Sequence, residues 1–585
     1  MTATQKAGLP ATRLADARLP ADAPEELARF VADRVIAAGD VAAAVVLVGI
    51  GRRESPKLSP DSRAWLLMCL ALRSPREGHT CVSLPGIRDW AAETVVDPAD
   101  WPADIAVWKK SLKTAGPLVG GPGERRPFIL DGDRLYLARS LHEEEQIARR
   151  IGGEEGGVVR VLLGGPGTGK TTQVARRLVD RLLEKPDLRI ALAAPTGKAA
   201  ARMAEALRHR LHDPGGPVEV TRAPAHVLDA VAKVRPVTIH KLLGSRPHGT
   251  PRYRFGPSNP LAYDLVVVDE TSMLSSSLMV HLLEALGAGT ELLLVGDPDQ
   301  LASVDAGTVL GDIASAAARP GARLHSRTER LTVRHRFGLQ IGALADAILG
   351  SDPERAFEIL SGAAAAPEAR SPASDTPPAV RWVETGTRAY EQLVEEAVAH
   401  ARRLRSLAAA GSIEEAVAAQ RDFQVLCAHR AGASGVTGWN ASLEKRLGVA
   451  GSESWYPGRP LMVTRNNPAI DLFNGDVGLV VPGLIEGSVD AAFPSGGGVR
   501  RVPVSRLEEV ATVHALTIHK SQGSEYRHAV VVLPDRPSRI STRELLYTGI
   551  TRAIDRVTVV GPRDVIEAAI RTPIRRATGL ADRLG

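Results

Sequence analysis

A glycine-rich segment between an apolar strand and an amphipathic helix constrains this chain more than any other feature. Residues 164–172 read GGPGTGKTT, follow the strand VVRVLL and open the helix TQVARRLVDRLL. Such glycines let successive backbone N–H groups turn towards a phosphate, and the helix N-terminus adds a favourable dipole. The pattern predicts a phosphate-binding loop made of Gly165, Pro166, Gly167, Thr168, Gly169, Lys170, Thr171 and Thr172. Lys170 is expected to reach the β- and γ-phosphates of a nucleotide, and Thr171 to bind Mg²⁺.

A second strand ends in two carboxylates. The segment YDLVVVDETSM places Asp269 and Glu270 directly after an apolar run. A carboxylate at this position could simply cap the next helix. Together with the phosphate loop, however, the pair predicts that Asp269 holds the water shell of Mg²⁺ and that Glu270 orients and deprotonates the attacking water. We therefore expect the nucleotide to be hydrolysed and not only bound.

The pattern of short apolar strands predicts the fold class. VVRVLL, LRIALAA, YDLVVVD and TELLLVG form one set, and DFQVLCA, HAVVVLP and RVTVVG form another. Runs of this length between turns and helices are typical of parallel sheets buried on both faces. Residues 457–512, rich in Val, Gly and Pro, predict a small antiparallel β-barrel inserted in the second unit. Residues 1–120 show helical spacing of apolar residues. The predicted class is α/β, with two such units.

Composition excludes several classes of protein. Hydrophobic residues make up 44% and charged residues 24% of the 585 residues, which rules out wholesale disorder or a fibrous repeat. The three cysteines, Cys69, Cys81 and Cys427, are too few for a disulfide framework or a zinc site. The longest apolar run, residues 41–50, is half a membrane span, so a cytoplasmic protein without membrane partners is expected. A net charge of +6 favours a polyanionic partner such as nucleic acid.

Seven motifs, in order, resemble those of superfamily 1 helicases. They are GGPGTGKTT (164–172), AAPTGKAA (193–200), DETS (269–272), GDPDQL (296–301), RHRF (334–337), LTIHKSQGSEY (516–526) and YTGITRA (547–553). Alone, GDPDQL could be a turn. The resemblance implies that ATP binds between two RecA-like domains.

Longer segments resemble the RecD family, the alpha subunits of the RecBCD complex. They are GHTCVSL (78–84), ILDGDRLYLAR (129–139), VTIHKLLG (237–244) and RPLMVTRNNPAIDLFNGDVGLV (459–480). This resemblance implies an SH3-like barrel at 457–512. It implies a partner-docking helical domain at 1–120, a first RecA-like domain at 121–330, and a second in two parts at 331–456 and 513–585.

The resemblance also implies roles for individual residues. Catalysis is expected from Lys170, Asp269, Glu270, Gln300, Arg336 and Arg552. The two arginines are expected to neutralise charge on the γ-phosphate, Gln146 to contact adenine and Glu525 to contact ribose. The single-strand channel is expected to be lined by Pro195, Thr196, Lys198, Thr238, His240, Thr517 and His519. Each of the two histidines could instead be a structural residue under a loop.

The implied function is that of an ATP-dependent DNA helicase moving 5′ to 3′ on one strand. It would act with RecB and RecC in a heterotrimer that unwinds duplex DNA ends for recombinational break repair, with cleavage supplied by RecB. One alternative is a stand-alone helicase of the RecD2 type. Another is a non-motor regulatory subunit that binds DNA and uses ATP as a switch. Glu270, Gln300, Arg336 and Arg552 argue against the latter, because a switch does not need all four.

The N-terminal residues leave two interpretations open. The apolar run Trp65, Leu66, Leu67, Met68 and Cys69 carries more apolar surface than a single helical layer would obviously hide. The resemblance favours docking onto RecC. The alternative is a self-contained domain that closes its own core.

Overall fold

Four β-sheets organise the chain in the computed structural model, and two of them are entirely parallel. The structure describes residues 19–91, 100–211, 220, 222–245, 253–333, 338–362, 379–449, 455–485, 487–495 and 498–585. The predicted arginine of the RHRF motif, Arg336, lies outside the described residues.

The N-terminal region combines helices with a small sheet. Its helices are Leu27–Ala32, Ala38–Glu54, Ser62–Arg73 and Ile105–Leu112. Its strands are β1 (Cys81–Ser83), β2 (Val119–Gly120), β3 (Phe128–Asp131) and β4 (Arg134–Leu137), in the order β1-β4-β3-β2. The sheet extends past residue 120, where the sequence predicts the helical domain to end, because β3 and β4 complete its pairing with β1.

The helix Ser62–Arg73 lies at the centre of the N-terminal core. It begins at Asp61, whose carboxylate accepts a hydrogen bond from the Ala64 N–H at 2.9 Å. Its apolar side chains are buried on every face in one cluster with the surrounding helices and strands. The prediction that Trp65 to Cys69 carry more apolar surface than the domain hides is therefore wrong, since these residues close the domain's own core. Docking of this region onto RecC stays a prediction.

The first parallel sheet carries the phosphate loop. Its strands are β5 (Val159–Gly164), β6 (Ile190–Ala194), β7 (Val237–Thr238), β8 (Leu265–Val268), β9 (Glu291–Gly296) and β10 (Thr328–Leu331), in the order β10-β5-β9-β8-β6-β7. One face packs on the helices Lys170–Glu184, Gly197–Leu211 and Ala225–Lys233. The other packs on Ala138–Gly152, Ser276–Ala285 and Val309–Ala317, with the short helix Ile239–Leu242 at the β7 edge. Burial on both faces explains the continuous apolar strands.

The second parallel sheet has the order β11-β20-β19-β12-β18. Its strands are β11 (Val380–Val383), β12 (Phe423–Cys427), β18 (Ala515–Thr517), β19 (Tyr526–Val532) and β20 (Ala553–Val560). The accompanying helices are Leu339–Leu349, Pro353–Leu360, Arg388–Ala409, Ile413–Ala419, Val436–Arg446, Arg543–Ile550 and Arg563–Arg571. The predicted α/β class with two parallel units is thereby confirmed.

An antiparallel sheet is inserted between β12 and β18. It consists of β13 (Pro460–Val463), β14 (Val477–Pro482), β15 (Val489–Ser495), β16 (Gly498–Pro503) and β17 (Val510–Thr512), in the order β16-β15-β14-β13-β17. Among the described strands, the two outer ones do not pair with each other. The closed SH3-like barrel therefore stays a prediction.

Residues 572–585, here called the return segment, lead from the second α/β domain back to the first. They end in the helix Leu580–Leu584. Leu580 is 1% exposed and Leu584 is 5% exposed, and both pack in the core of the first domain with Ile147 and Ile151. The two α/β domains are thus linked twice by the chain.

The buried carboxylate of Glu144 joins three parts of the molecule: the N-terminal region, the first α/β domain and the return segment. Its oxygens accept hydrogen bonds of 2.5 to 3.4 Å from the side chains of Thr80, Tyr136, Thr578 and Arg583 and from the backbone N–H of Gly579. Since a buried charge is stable only when it is paired and hydrogen-bonded, this cluster depends on the carboxylate.

We expect Glu144→Ala to lower the free energy of unfolding by about 3 kcal/mol, because buried donors lose their acceptor and the nearby Arg583 loses a partner. The matched control is Glu143→Ala. The Glu143 carboxylate pairs with the exposed Arg139 at 2.9 Å, and such pairs contribute below about 1 kcal/mol. Urea unfolding of both variants tests the difference, and equal losses would contradict the role of Glu144.

Candidate active site and strand channel

The phosphate loop is built at the carboxyl end of β5. Gly167 and Gly169 have φ values of +76° and +86°, a region that favours glycine, and Gly169 directly precedes the helix Lys170–Glu184. The Lys170 ammonium donates hydrogen bonds to the carbonyls of Gly164 at 2.6 Å and Gly165 at 3.0 Å. The Thr168 hydroxyl donates to the Gly165 carbonyl at 2.9 Å. The lysine therefore lies within the loop, at the start of a helix, as phosphate binding requires.

The two carboxylates follow β8 on the same edge of the sheet. Burial, reinforced by the negative charge of Glu270, raises the pKa of Asp269 to about 6, and the positive charge of Lys170 opposes this rise. The strand end and the loop therefore converge. Glu270 has a left-handed φ of +52°, and its N–H donates to the Asp269 carboxylate at 2.8 Å. A left-handed glutamate costs on the order of 1 kcal/mol, and such strain is typical of functional sites.

The GDPDQL motif begins at the end of β9, which lies between β5 and β8 in the sheet. Asp297 is buried, and its carboxylate accepts hydrogen bonds from the Gln300 amide at 3.0 Å and the Tyr547 hydroxyl at 3.1 Å. Gln300 Oε1 is buried without a hydrogen-bond partner among the described residues. An acceptor left open in this way is suited to a water or ligand at the site. The role of Tyr547 is missed by the sequence analysis, although the residue stands in a quoted motif.

Arg552 brings a positive charge from the second α/β domain. It is 2% exposed, and its Nε donates to the Thr548 carbonyl at 3.0 Å. Burial lowers the pKa of Arg552, while the negative charges of Glu270 and Asp297 act against that shift. The charges of Glu270 and Asp297 in the first domain therefore act on a guanidinium of the second domain, as they would on an arginine finger.

Two predicted nucleotide contacts have other partners. The Gln146 amide donates to the Glu284 carboxylate at 3.4 Å, on the helix Ser276–Ala285. The Glu525 carboxylate forms an ion pair with Arg202, on the helix Gly197–Leu211. The adenine and ribose contacts stay predictions. Arg202 is a cation at the domain boundary that the sequence analysis does not single out, although it lies one helical turn beyond Lys198.

Some of the residues predicted to contact single-stranded DNA form the same turn in both α/β domains. Thr238 ends β7 and Thr517 ends β18, each at the edge of its sheet. Each hydroxyl accepts a hydrogen bond from the backbone N–H of the lysine three residues later, at 3.2 Å and 3.3 Å. The turn that follows contains His240 in one domain and His519 in the other. Burial lowers the pKa of both histidines, so both rings are neutral at pH 7.

The AAPTGKAA motif lies where the first domain meets the inserted sheet. The hydroxyl of Thr196, which follows Pro195, accepts a hydrogen bond from the Ala199 N–H at 3.1 Å. A β-carbon on Gly197 would lie 3.4 Å from the Cβ of Phe473. Burial lowers the pKa of the half-buried Lys198 to about 8.

Charges from several elements surround Lys198. The negative charge of Asp476 raises the pKa of Lys198, and the positive charges of Arg202, Arg421 and Arg552 lower it. Arg202 is itself paired with Glu525, but Lys198, Arg421 and Arg552 still outnumber Asp476, and this excess of positive charge favours an anionic ligand.

The residues fit a magnesium ion shared with a nucleotide. Within the described ranges, no cluster of three His, Cys, Asp or Glu side chains could hold a metal ion alone. Mg²⁺ commonly takes one or two protein ligands and completes its shell with water and substrate phosphates. Thr171 and Asp269, the predicted ligands, would supply such a set. No helix in the described part of the chain is long and apolar enough to cross a membrane.

Several known proteins are similar to parts of this chain. Family models match at residues 32–136 (RecBCD enzyme subunit RecD, N-terminal domain), 155–306 (AAA domain) and 512–560 (UvrD-like helicase C-terminal domain). The Pif1 helicase from Bacteroides, solved in complex with ADP-AlF3 and ssDNA, covers 71% of this chain and 91% of its own at 16% identity, with a TM-score of 0.35.

Two curated relatives extend the comparison. The ATP-dependent RecD2 DNA helicase of Deinococcus radiodurans is 32% identical over 433 residues, covering 72% of this chain and 50% of the relative. The RecBCD enzyme subunit RecD of Mycolicibacterium smegmatis is 40% identical over 569 residues, covering 90% of this chain and 94% of the relative. With this identity along nearly the whole length of both proteins, the chain belongs to the RecD family of RecBCD enzyme subunits.

Proposed function

We propose that the chain hydrolyses ATP between its two α/β domains and uses the cycle to move 5′ to 3′ along single-stranded DNA, unwinding duplex ends together with RecB and RecC. The observation that carries this proposal is the convergence of Lys170, Asp269, Glu270 and Gln300 with Arg552 from the other domain. A site divided in this way is complete only when both domains meet, so hydrolysis is coupled to domain closure.

The loop N–H groups and Lys170 would hold the β- and γ-phosphates of ATP, and Thr171 and Asp269 would hold Mg²⁺. When bound, Mg²⁺ supplies charge neutralisation at the phosphate oxygens. Glu270 accepts the proton of the attacking water, and Gln300 Oε1 accepts a hydrogen bond at the same place. Arg552 stabilises the negative charge that develops on the γ-phosphate. The open acceptor on Gln300 and the electrostatic effect of Glu270 on the pKa of Arg552 support these roles.

Contacts across the domain boundary connect the nucleotide site to the DNA. Tyr547 donates to Asp297, and the Leu301 N–H donates to the Thr548 hydroxyl at 2.9 Å. The Gln522 amide donates to the Leu301 carbonyl at 3.1 Å, three residues beyond His519. A change at the γ-phosphate therefore reaches the channel through a few directly bonded residues.

The share of each relative's length that this chain matches favours a RecD subunit over the RecD2 alternative. The match spans 94% of the RecD relative and 50% of the RecD2 relative. The position of Arg552 favours a motor over an ATP-controlled switch. Purification of the chain from its native host tests the proposed heterotrimer: RecB and RecC should co-purify in stoichiometric amounts, and a chain recovered alone with full helicase activity would favour the stand-alone type.

We expect the double substitution Thr517→Ala and His519→Ala to weaken single-strand binding on the order of ten-fold, because two hydrogen-bonding groups leave the channel. DNA-stimulated hydrolysis should fall with it, while the basal rate persists. Fluorescence anisotropy with labelled oligonucleotides at several salt concentrations measures the change. Thr238→Ala with His240→Ala should give a similar loss from the first domain.

His142→Ala is the control for these variants, since His142 is exposed on the helix Ala138–Gly152. It should bind DNA as the unmodified protein does. Unchanged affinity in both double variants would remove these residues from the channel.

A further inference from the structure

The loop that follows the GDPDQL motif, residues 302–307, is held by an arginine from the return segment. Arg576 Nη1 donates to the carbonyls of Asp305 at 3.1 Å and Gly307 at 3.0 Å, and Nη2 donates to the Ser303 carbonyl at 2.6 Å. The Ser303 hydroxyl donates to the Asp305 carbonyl at 2.8 Å. Three backbone carbonyls of one short loop thus converge on a single guanidinium, whose planar fork can satisfy them together.

The N-terminal region forms the other side of the arginine's binding site. Gly78 has a φ of +83°, and a β-carbon there would lie 2.7 Å from Arg576 Cζ. The Gly307 N–H donates to the Gly78 carbonyl at 3.1 Å. The backbone therefore favours glycine at position 78, and a larger residue there would displace the guanidinium of Arg576. This gives the GHTCVSL segment a physical reason that its resemblance alone does not supply.

The next residues fasten the return segment at the same place. The Ala577 N–H donates to His79 Nδ1 at 2.8 Å, and the Thr80 N–H donates to the Ala577 carbonyl at 3.0 Å. Burial, together with the positive charge of Arg576, lowers the pKa of His79 to about 4. The ring is therefore neutral near pH 7 and can accept this hydrogen bond. Arg576 is fixed on both sides.

Loop 302–307 begins at the boundary between the two α/β domains. Leu301, its preceding residue, is bonded to Thr548 and Gln522 of the second domain. Burial and the positive charge of Arg576 lower the pKa of His519 in the proposed DNA channel. Loop 302–307 therefore directly follows Gln300 of the proposed nucleotide site and Leu301, which is bonded to the second domain, and Arg576 binds three of its carbonyls.

We propose that Arg576 is a positioning residue of the motor. It packs against Gly78 of the N-terminal region and fixes loop 302–307, so that hydrolysis is coupled to movement along DNA. The inference rests on the proposed function. Because Arg576 binds backbone carbonyls, it fixes the path of the loop whatever its side chains are. The N-terminal region is thereby part of the machinery that converts ATP hydrolysis into translocation.

Arg576→Ala and Arg576→Lys test this role in the full chain. Lysine keeps the charge but cannot present a planar fork to three carbonyls. We expect both variants to lose about ten-fold in the kcat of DNA-stimulated hydrolysis and in strand displacement per ATP, as misplacement of a coupling element predicts. In the lysine variant, we expect the basal rate and the DNA concentration at half-maximal stimulation to change by less than about two-fold. Its melting temperature should change by no more than about a few degrees.

The adjacent Arg575→Ala is the matched control. Its side chain is 73% exposed and pairs with Asp89 at 3.2 Å, so it should behave as the unmodified protein. Arg576 variants that match Arg575→Ala in stimulated kcat and in coupling would overturn the proposal. An equal loss of basal and stimulated hydrolysis in Arg576→Lys would also overturn it, because that pattern reflects general damage. Failure of the unmodified protein to hydrolyse ATP on DNA would instead count against the proposed function.

Discussion

Lys170→Ala is expected to abolish ATP hydrolysis while leaving the fold intact. The Lys170 ammonium lies inside the phosphate loop, bonded to the carbonyls of Gly164 and Gly165, and its side chain belongs to none of the apolar clusters of the described residues. Its loss removes the charge that stabilises the β- and γ-phosphates in the transition state. We expect turnover with saturating single-stranded DNA to fall on the order of 10³-fold or more.

Lys185→Ala provides the control at the opposite end of the same helix. Lys185 is 58% exposed and pairs with Asp264 at 3.5 Å, so its removal should leave turnover unchanged. Steady-state hydrolysis and a thermal melt of both variants separate catalysis from folding. Near-normal turnover in Lys170→Ala would reject the assignment of the phosphate site.

Arg552→Ala should retain nucleotide binding yet lose hydrolysis by a factor on the order of 10³. The guanidinium reaches the site from the second domain and acts on charge that appears only as the γ-phosphate leaves, so the ground-state complex depends on it little. The structural reason is that the charges of Glu270 and Asp297 in the first domain act on the buried guanidinium. Binding of a fluorescent ATP analogue, measured beside kcat, separates the two effects.

Arg552 also donates to the carbonyls of Thr548 and Ser524, so its loss could disturb the second domain. Arg552→Lys addresses this, since it keeps a positive charge in the same place and should still lose most of the turnover. The exposed Arg527, which pairs with Asp555 at 2.9 Å, supplies a neutral control as Arg527→Ala. Equal losses in binding and turnover would make Arg552 a ground-state contact.

Features that depend on local sequence were predictable here. Strand, turn and helix signals act over about ten consecutive residues. The phosphate loop, the strand end at DETS and the two Thr-Ile-His-Lys turns are each this short. Lys170, Asp269 and Gln300 each follow a strand of the first parallel sheet, and parallel strands place their carboxyl ends on one edge. The roles of these residues in hydrolysis stay predictions.

Contacts between distant parts of the chain were not predictable. Glu525 pairs with Arg202 and Gln146 with Glu284, and no local pattern specifies such partners. The N-terminal sheet was missed for a related reason: its strands are two to four residues long, too short for alternation to be recognised. Trp65 was misjudged because an apolar helix surrounded by other elements has the same sequence as one with an exposed face.

The return segment has a consequence for how the protein is made. All strands of the first α/β sheet have been synthesised by Leu331, but Leu580 and Leu584 complete its core. On the ribosome, this domain must wait for the entire second domain before its last apolar contacts can form, so it cannot finish folding in the usual domain-by-domain order. The two halves of the motor therefore reach their final packing together, and a nascent chain halted between them would leave the first half with an open core.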